Sequence, residues 1–276
     1  MLKQRILTGI ILAVVVVTAA LAEDVFWISL LLSAGLLFAA AELFKLMLKI
    51  PRWLILVLAC GFALLFWLSI NVLNSVVVQV QALVGAGVWM VIALSLRFYR
   101  HHGQWSLLVR VLLLGLVLDL LWICVHGLLY LHQVHGGPML LFLLSLVAVA
   151  DIGAYFSGRR FGRHKLAPAI SPSKTWEGVV GGLLASLVWI GIVCGLSEPM
   201  TEEGFPMPLI WVFAAGVMTA AMSIVGDLLE SVIKREAGVK DSGTLLPGHG
   251  GVLDRIDGVI AASPVFVSGL YLATLW

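Results

Sequence analysis

Between Ser223 and Asp257 the chain reads SIVGDLLESVIKREAGVKDSGTLLPGHGGVLDRID, a dense set of groups able to handle phosphate. Asp227, Glu230, Ser231 and Lys234 recur at i, i+3, i+4 and i+7, so a helix puts them on one face. Taken alone, that face also reads as a solvated surface laced with ion pairs. The run Leu246-Pro247-Gly248-His249-Gly250-Gly251 cannot be helical, and Gly250 and Gly251 let the backbone approach a ligand or adopt positive φ. Asp254, Arg255 and Asp257 follow at the mouth of the last apolar run. Charges there are costly unless paired or liganded. Asp227 and Asp254 meet if the helices that carry them are neighbours. Carboxylates converging beside several cations suit a hard divalent ion such as Mg²⁺ bound together with phosphate oxygens. Lys and Arg neutralise phosphate charge. Such a set fits phosphoryl or nucleotidyl transfer, which depends on positioning and charge stabilisation.

A second polar segment, DIGAYFSGRRFGRHKLAPAISPSKTWEG, runs from Asp151 to Gly178. Asp151 closes the sixth apolar run. Gly158, Arg159, Arg160, Gly162 and Arg163 read as a basic, flexible turn. Ser171, Lys174 and Thr175 precede Trp176 and Glu177 at the start of the next helix. A Ser or Thr there caps the helix, and a helix N-terminus suits a phosphate. A basic loop closed by an N-cap accounts for the same residues without a ligand. Glu42 can pair with Lys45 at i+3 or reach the site, and Asp119 lies inside an apolar run with no partner in sequence. His101, His102, His126, His132, His135 and His164 show no metal-ligand spacing, and Cys60, Cys124 and Cys194 read as small core residues.

Elements of one kind must position these groups. Of 276 residues, 61% are hydrophobic and 12% charged, and the mean hydropathy is +1.09. An average soluble domain carries about 25% charged residues. A soluble globular protein, a disordered chain and a disulfide scaffold are therefore excluded. The net charge of +2 makes no case for a nucleic-acid partner. Nine apolar runs are predicted to cross a membrane: residues 6–22, 25–44, 53–70, 76–96, 106–131, 139–156, 178–196, 208–226 and 258–275. Each must be helical, because an open strand edge leaves backbone groups unsatisfied in lipid. The expected fold is an all-α polytopic membrane protein. Met1–Ala22 has some features of a cleaved signal peptide, but the apolar run that follows almost at once favours a retained helix.

Placing the N-terminus in the cytoplasm puts all 17 Lys and Arg on the inner side. The outer loops then carry Glu23, Asp24, Glu198, Glu202 and Glu203. The chain divides into an N-terminal helical region, 1–138, and a C-terminal region, 139–276, whose cytoplasmic segments 157–177 and 227–257 hold the chemistry. A transporter would need a midplane site and, typically, inverted repeats. Here polar residues crowd one membrane face and no repeat is visible.

At these two segments the sequence resembles the phosphatidate cytidylyltransferase (CDP-diglyceride synthase) family of bacterial integral membrane enzymes. Its signature is met at Ser231, Ile233, Lys234, Arg235, Lys240, Asp241, Gly243, Leu246, Pro247, His249, Gly250, Gly251, Val252, Asp254, Arg255, Ile256 and Asp257. The stretches Asp151–Tyr155 and Ile170–Gly178 resemble two further family segments, with Ser173 standing where many relatives have Lys. The resemblance implies transfer of CMP from CTP to phosphatidate, giving CDP-diacylglycerol and pyrophosphate. It implies Mg²⁺ on Asp227 and Asp254, with a monovalent cation such as K⁺ nearby. It also implies a homodimer among lipids of the bacterial inner membrane, with the site facing the cytoplasm. In the mechanism built on it, Lys234, Arg235, Lys240 and Arg255 stabilise developing charge. Asp241 and Asp257 orient cations or complete the metal shell. His249 donates a hydrogen bond, and the Gly250-Gly251 backbone cradles phosphate. Asp151, Arg159, Ser171, Lys174, Thr175, Glu177 and Ser231 are expected to contact substrate. A lipid or prenol kinase using CTP is the alternative chemistry.

Overall fold

The computed structural model describes residues 2–72, 74–100, 105–197, 208–248 and 250–275. Glu198, Glu202, Glu203, His101, His102, His249 and Trp276 lie outside the described residues, as do the side chains of Lys3 and Arg5.

The apolar runs become helices whose ends are set by short polar side chains. Helix α1 spans Leu2–Leu21. Asp24 opens α2 (Val25–Met47) by accepting from Phe26 N at 2.8 Å. Pro51, with its fixed φ, precedes α3 (Arg52–Ser69). Asn74 caps α4 (Ser75–Leu96) through Val77 N at 2.9 Å. Ser106 caps α5 (Leu107–Phe161). Each cap satisfies an N–H that the helix cannot. Then come α6 (Trp176–Ser197), α7 (Leu209–Glu236) and α8 (Leu253–Ala273). Among the described residues, α2 to α8 are long and apolar enough to cross a membrane, and α1 contains a shorter apolar stretch, Ile6–Leu21.

Helix α5 has 55 residues, about 82 Å at 1.5 Å per residue. A hydrocarbon core is about 30 Å thick. The helix is broken at Gly136, with φ 80° and ψ 169°, a conformation that only glycine enters freely. Pro138, which has no N–H to donate, stands two residues on. The two runs expected at 106–131 and 139–156 fall on either side of this break.

Segment 157–177 departs from expectation. Gly158, Arg159 and Arg160 belong to the last turn of α5 rather than to a flexible turn, because the helix runs on to Phe161. Beyond it, β1 (Lys165–Ala167) and β2 (Ser171–Thr175) form an antiparallel hairpin. Ile170 is buried at its tip against Leu228 and Val232 of α7. The hairpin is thus seated on α7 by apolar contact.

Helix α8 packs against α7, α5, α4 and α2, so its neighbours come from both ends of the chain. Helices α5 and α6 meet through small residues. A Cβ on Gly181 would collide with Ser157, and one on Gly153 would reach Ala185. Such residues let helix backbones approach in lipid. Cys124 and Cys194 are buried, whereas Cys60 is exposed.

Candidate active site

The site is built where α7 and α8 cross. A Cβ on Gly226 would collide with the carbonyl oxygen of Asp257, and one on Gly258 would lie 3.3 Å from Ser223 Cβ. The two backbones therefore nearly touch, which brings the carboxylates beside the crossing together. Asp227, Glu230 and Asp257 each offer one carboxylate oxygen, and these atoms lie within 4.8 Å of one another. Asp151, at the inner part of α5, lies within electrostatic reach of Asp227, Asp257, Lys174 and Arg255.

Two lysines hold this acidic group. Lys174 Nζ, from β2, sits 2.7 Å from Asp227 Oδ2 and donates to Ile224 O at 3.3 Å. Lys234 Nζ lies between two carboxylates, 2.6 Å from Glu230 Oε2 and 2.7 Å from Asp254 Oδ1. Ser231 Oγ donates to Asp227 Oδ1 at 3.3 Å. Glu230 is buried, and among the described residues its second oxygen, Oε1, has no hydrogen-bond partner. Three carboxylates gathered in this way, one of them buried, match the chemistry of a hard-cation site.

Asp254, expected among the metal ligands, is held by several donors. Its Oδ1 takes Lys234. Its Oδ2 accepts from Gly251 N at 2.8 Å, Ser242 N at 2.9 Å and Ser242 Oγ at 3.0 Å. The geometry thus gathers Asp227 with Glu230 and Asp257, and leaves Asp254 to hold the loop before α8. Because Gly251 N–H is directed to Asp254, it is not turned toward a phosphate. Gly250 has φ 81°, and its carbonyl accepts from Leu246 N at 3.0 Å, closing a tight turn. A Cβ there would reach Asp254 Oδ2.

The other expected contacts divide in the same way. Thr175 is buried, and its Oγ1 accepts from Gly178 N at 3.1 Å, so it is the N-terminal cap of α6. Glu177 accepts from Arg163 N and His164 N and pairs with His164 Nδ1 at 2.6 Å, which fastens the turn between α5 and β1. Arg235 Nε donates to Ile170 O at 3.3 Å, tying the hairpin tip to α7. Tyr99, beyond α4, donates to Glu236 near the end of α7, and burial together with that carboxylate pushes its pKa up. Arg159 Nη1 donates to Tyr155 Oη at 3.1 Å, and Ser171 Oγ lies 3.5 Å from Ser173 Oγ. Arg159, Lys240, Asp241 and Arg255 are exposed. Asp119 is exposed on α5.

Three residues outside the expected set stand in the network. Glu230 was visible on the Asp227 face of the helix. Ser242 is 2% exposed and links Asp254 to Glu42. Glu42, from α2, reaches the loop before α8 rather than turning to Lys45. No spacing rule points to a contact between residues 200 positions apart.

The fold is that of a helical protein with seven helices long and apolar enough to cross a membrane among the described residues, with carboxylates and lysines gathered at the ends of α7 and α8. The sequence profile of the Cytidylyltransferase family matches residues 3–273. The chain belongs to that family. It is 52% identical over 138 residues to a phosphatidate cytidylyltransferase of Haemophilus influenzae, covering 50% of this chain and 47% of that protein. To the phosphatidate cytidylyltransferase of Pseudomonas aeruginosa it is 42% identical over 190 residues, 67% of each chain. To that of Brucella suis it is 44% identical over 128 residues, 46% of this chain and 45% of the relative. The aligned stretches thus span about half the length of two of these relatives and two thirds of the third.

Proposed function

We propose that this chain transfers CMP from CTP to phosphatidate, releasing CDP-diacylglycerol and pyrophosphate. The observation that carries the proposal is the meeting of Asp151, Asp227, Glu230 and Asp257 with Lys174 and Lys234 at the α7–α8 crossing. The relatives, all named for this activity, support it. A phosphate oxygen of phosphatidate attacks the α-phosphorus of CTP. The bond from that phosphorus to the bridging oxygen breaks, and pyrophosphate leaves with the electron pair. The attacking phosphate is already ionised near neutral pH, so the site needs no strong general base.

Asp227, Glu230 and Asp257 would hold Mg²⁺, with Asp151 beside them and a monovalent cation such as K⁺ as an accessory, as the family resemblance implies. Bound there, Mg²⁺ would neutralise phosphate charge and make the α-phosphorus a better electrophile. The chain's own residues do the rest. Lys174 fixes Asp227 from the hairpin. Lys234 keeps Glu230 and Asp254 in place. The exposed Arg255 and Lys240 meet the nucleotide phosphates. Between α6 and α7 an apolar groove is lined by Leu187, Phe213, Val217, Met218 and Ala221. Its inner end, Ala221, lies about 9 Å along α7 from Asp227 at 1.5 Å per residue, which suits an acyl chain whose phosphate is at the site.

The break at Gly136 lets α5 cross twice. With α1 as a further crossing, this supports nine spans, and the distribution of Lys and Arg supports a cytoplasmic N-terminus and a site on the inner face of a bacterial cytoplasmic membrane. Two copies pair in the membrane on this reading, as the family resemblance implies.

The test uses purified protein with α-³²P-labelled CTP, phosphatidate and Mg²⁺. Label in the lipid and free pyrophosphate are expected. Release of CDP with a phosphorylated lipid or prenol would make it a kinase and overturn the proposal, as would no lipid labelling at all.

A further inference from the structure

We infer that Glu42 is a positioning residue of the active site, supplied by the N-terminal half of the chain and acting through the loop that precedes α8. This rests on the cytidylyltransferase reading above. Glu42 is 8% exposed in α2. Its Oε1 accepts from Val252 N at 3.0 Å, and its Oε2 accepts from Leu253 N and from Ser242 Oγ, each at 2.9 Å. Helix α8 begins without a side-chain cap of its own, since its N-cap residue is Val252. The first N–H groups of a helix have no partner within it. Glu42 supplies that partner from 211 residues away, and its negative charge meets the positive end of the helix dipole.

The loop is shaped to receive this carboxylate. A Cβ on Gly243 would collide with Glu42 Oε1, and one on Gly251 with both Glu42 oxygens and Ser242 Oγ. Ser242 Oγ lies 2.9 Å from Glu42 Oε2 and 3.0 Å from Asp254 Oδ2. A hydroxyl has one proton to donate, so it serves one carboxylate at a time and tethers both. From Asp254 the connection runs to Lys234, and from Lys234 to Glu230 in the acidic cluster. Residues 240–248 and 250–254, with Lys240, Gly250 and Asp254, are therefore held in register with the carboxylates by a side chain from a distant helix. Glu42 does not touch the reacting groups. It fixes the part of the site that receives the nucleotide, while the groove between α6 and α7 is left alone.

The experiment compares full-length wild type, Glu42→Gln and Glu42→Ala after purification. Gln keeps the volume and one acceptor oxygen, so α2 still packs. The KM for CTP is expected to rise about tenfold in Glu42→Gln, the scale of losing a hydrogen bond to a charged acceptor, and further in Glu42→Ala. The KM for phosphatidate stays unchanged. A mere loss of folded protein would lower the rate and move neither KM. Amide hydrogen exchange should quicken in peptides covering 240–253 and stay the same in α3 and α4. An unchanged KM for CTP in folded Glu42→Gln, with unchanged exchange in 240–253, would overturn the inference. A wild type that makes no CDP-diacylglycerol would defeat the proposed reaction instead, and the exchange comparison would still decide whether Glu42 clamps the loop.

Discussion

Lys174 Nζ lies 2.7 Å from Asp227 Oδ2, joining the hairpin to the acidic face of α7. The pair is half exposed rather than sealed, with 20% of the lysine side chain and 39% of the aspartate side chain accessible. A lysine so placed can exchange its carboxylate for a phosphate when substrate arrives. Lys174→Met should lower kcat about 100-fold, the scale seen when one donor to developing charge is removed. Lys174→Arg should recover part of the loss. Initial rates with labelled CTP check both.

The two aspartates of the DRID run should behave differently. Glu230→Gln and Asp257→Asn should each raise the Mg²⁺ concentration needed for half-maximal rate by at least the roughly 10- to 100-fold that losing a residue which only orients a metal ligand costs. Asp254→Asn should leave that concentration nearly unchanged and lower stability, since Lys234 loses a buried partner. Breaking such a buried pair costs about 3–5 kcal/mol. Mg²⁺ titration of the rate, beside thermal unfolding in detergent, separates the two outcomes. An Asp254→Asn enzyme that is stable but starved of Mg²⁺ would put Asp254 back among the ligands.

Gly226 sets the distance between α7 and α8. Gly226→Val should push the helices apart and cost about 1–3 kcal/mol as an overpacked contact. Activity should fall far more than stability, because Asp227 and Asp257 move out of register. Gly226→Ala should show a smaller loss of both kinds. The ratio of residual activity to folded fraction is the quantity to follow.

Thr175 distinguishes a cap from a substrate contact. Thr175→Ala should lower stability by about 1 kcal/mol, the usual cost of losing an N-cap. Both KM values should stay as in wild type once folded protein is counted. A large rise in KM for CTP would show that the hydroxyl meets substrate after all.

Much of this was legible in sequence because lipid permits few solutions. Every apolar run became a helix, and the ends at Asp24, Asn74 and Ser106 are residues that cap by virtue of a short polar side chain. The hairpin was not legible. Ser171-Pro172-Ser173-Lys174-Thr175 carries no apolar alternation, and its pairing with β1 and the seat of Ile170 on α7 exist only in the folded chain. Asp227 and Glu230 were legible as one face by their spacing. Which aspartate of α8 lies beside Asp227 and Glu230 was not, because it depends on how far into α8 the crossing with α7 falls, where Gly226 meets Asp257. Glu42 was legible as a buried acid but not as a cap, because α2 and the loop meet only in the folded chain.

The length of α7 has a consequence for how substrate arrives. Its 28 residues make a rod of about 42 Å at 1.5 Å per residue, longer than a hydrocarbon core of about 30 Å. Asp227 stands about 27 Å from Leu209 along that rod, at the depth where acyl chains give way to headgroups. A lipid phosphate already sits in that layer. On the proposed reaction and orientation, the lipid need not be lifted out of the bilayer and would reach the acidic cluster by sliding sideways. Its supply would then be set by its mole fraction in the leaflet, and that of the nucleotide by the volume of the cytoplasm.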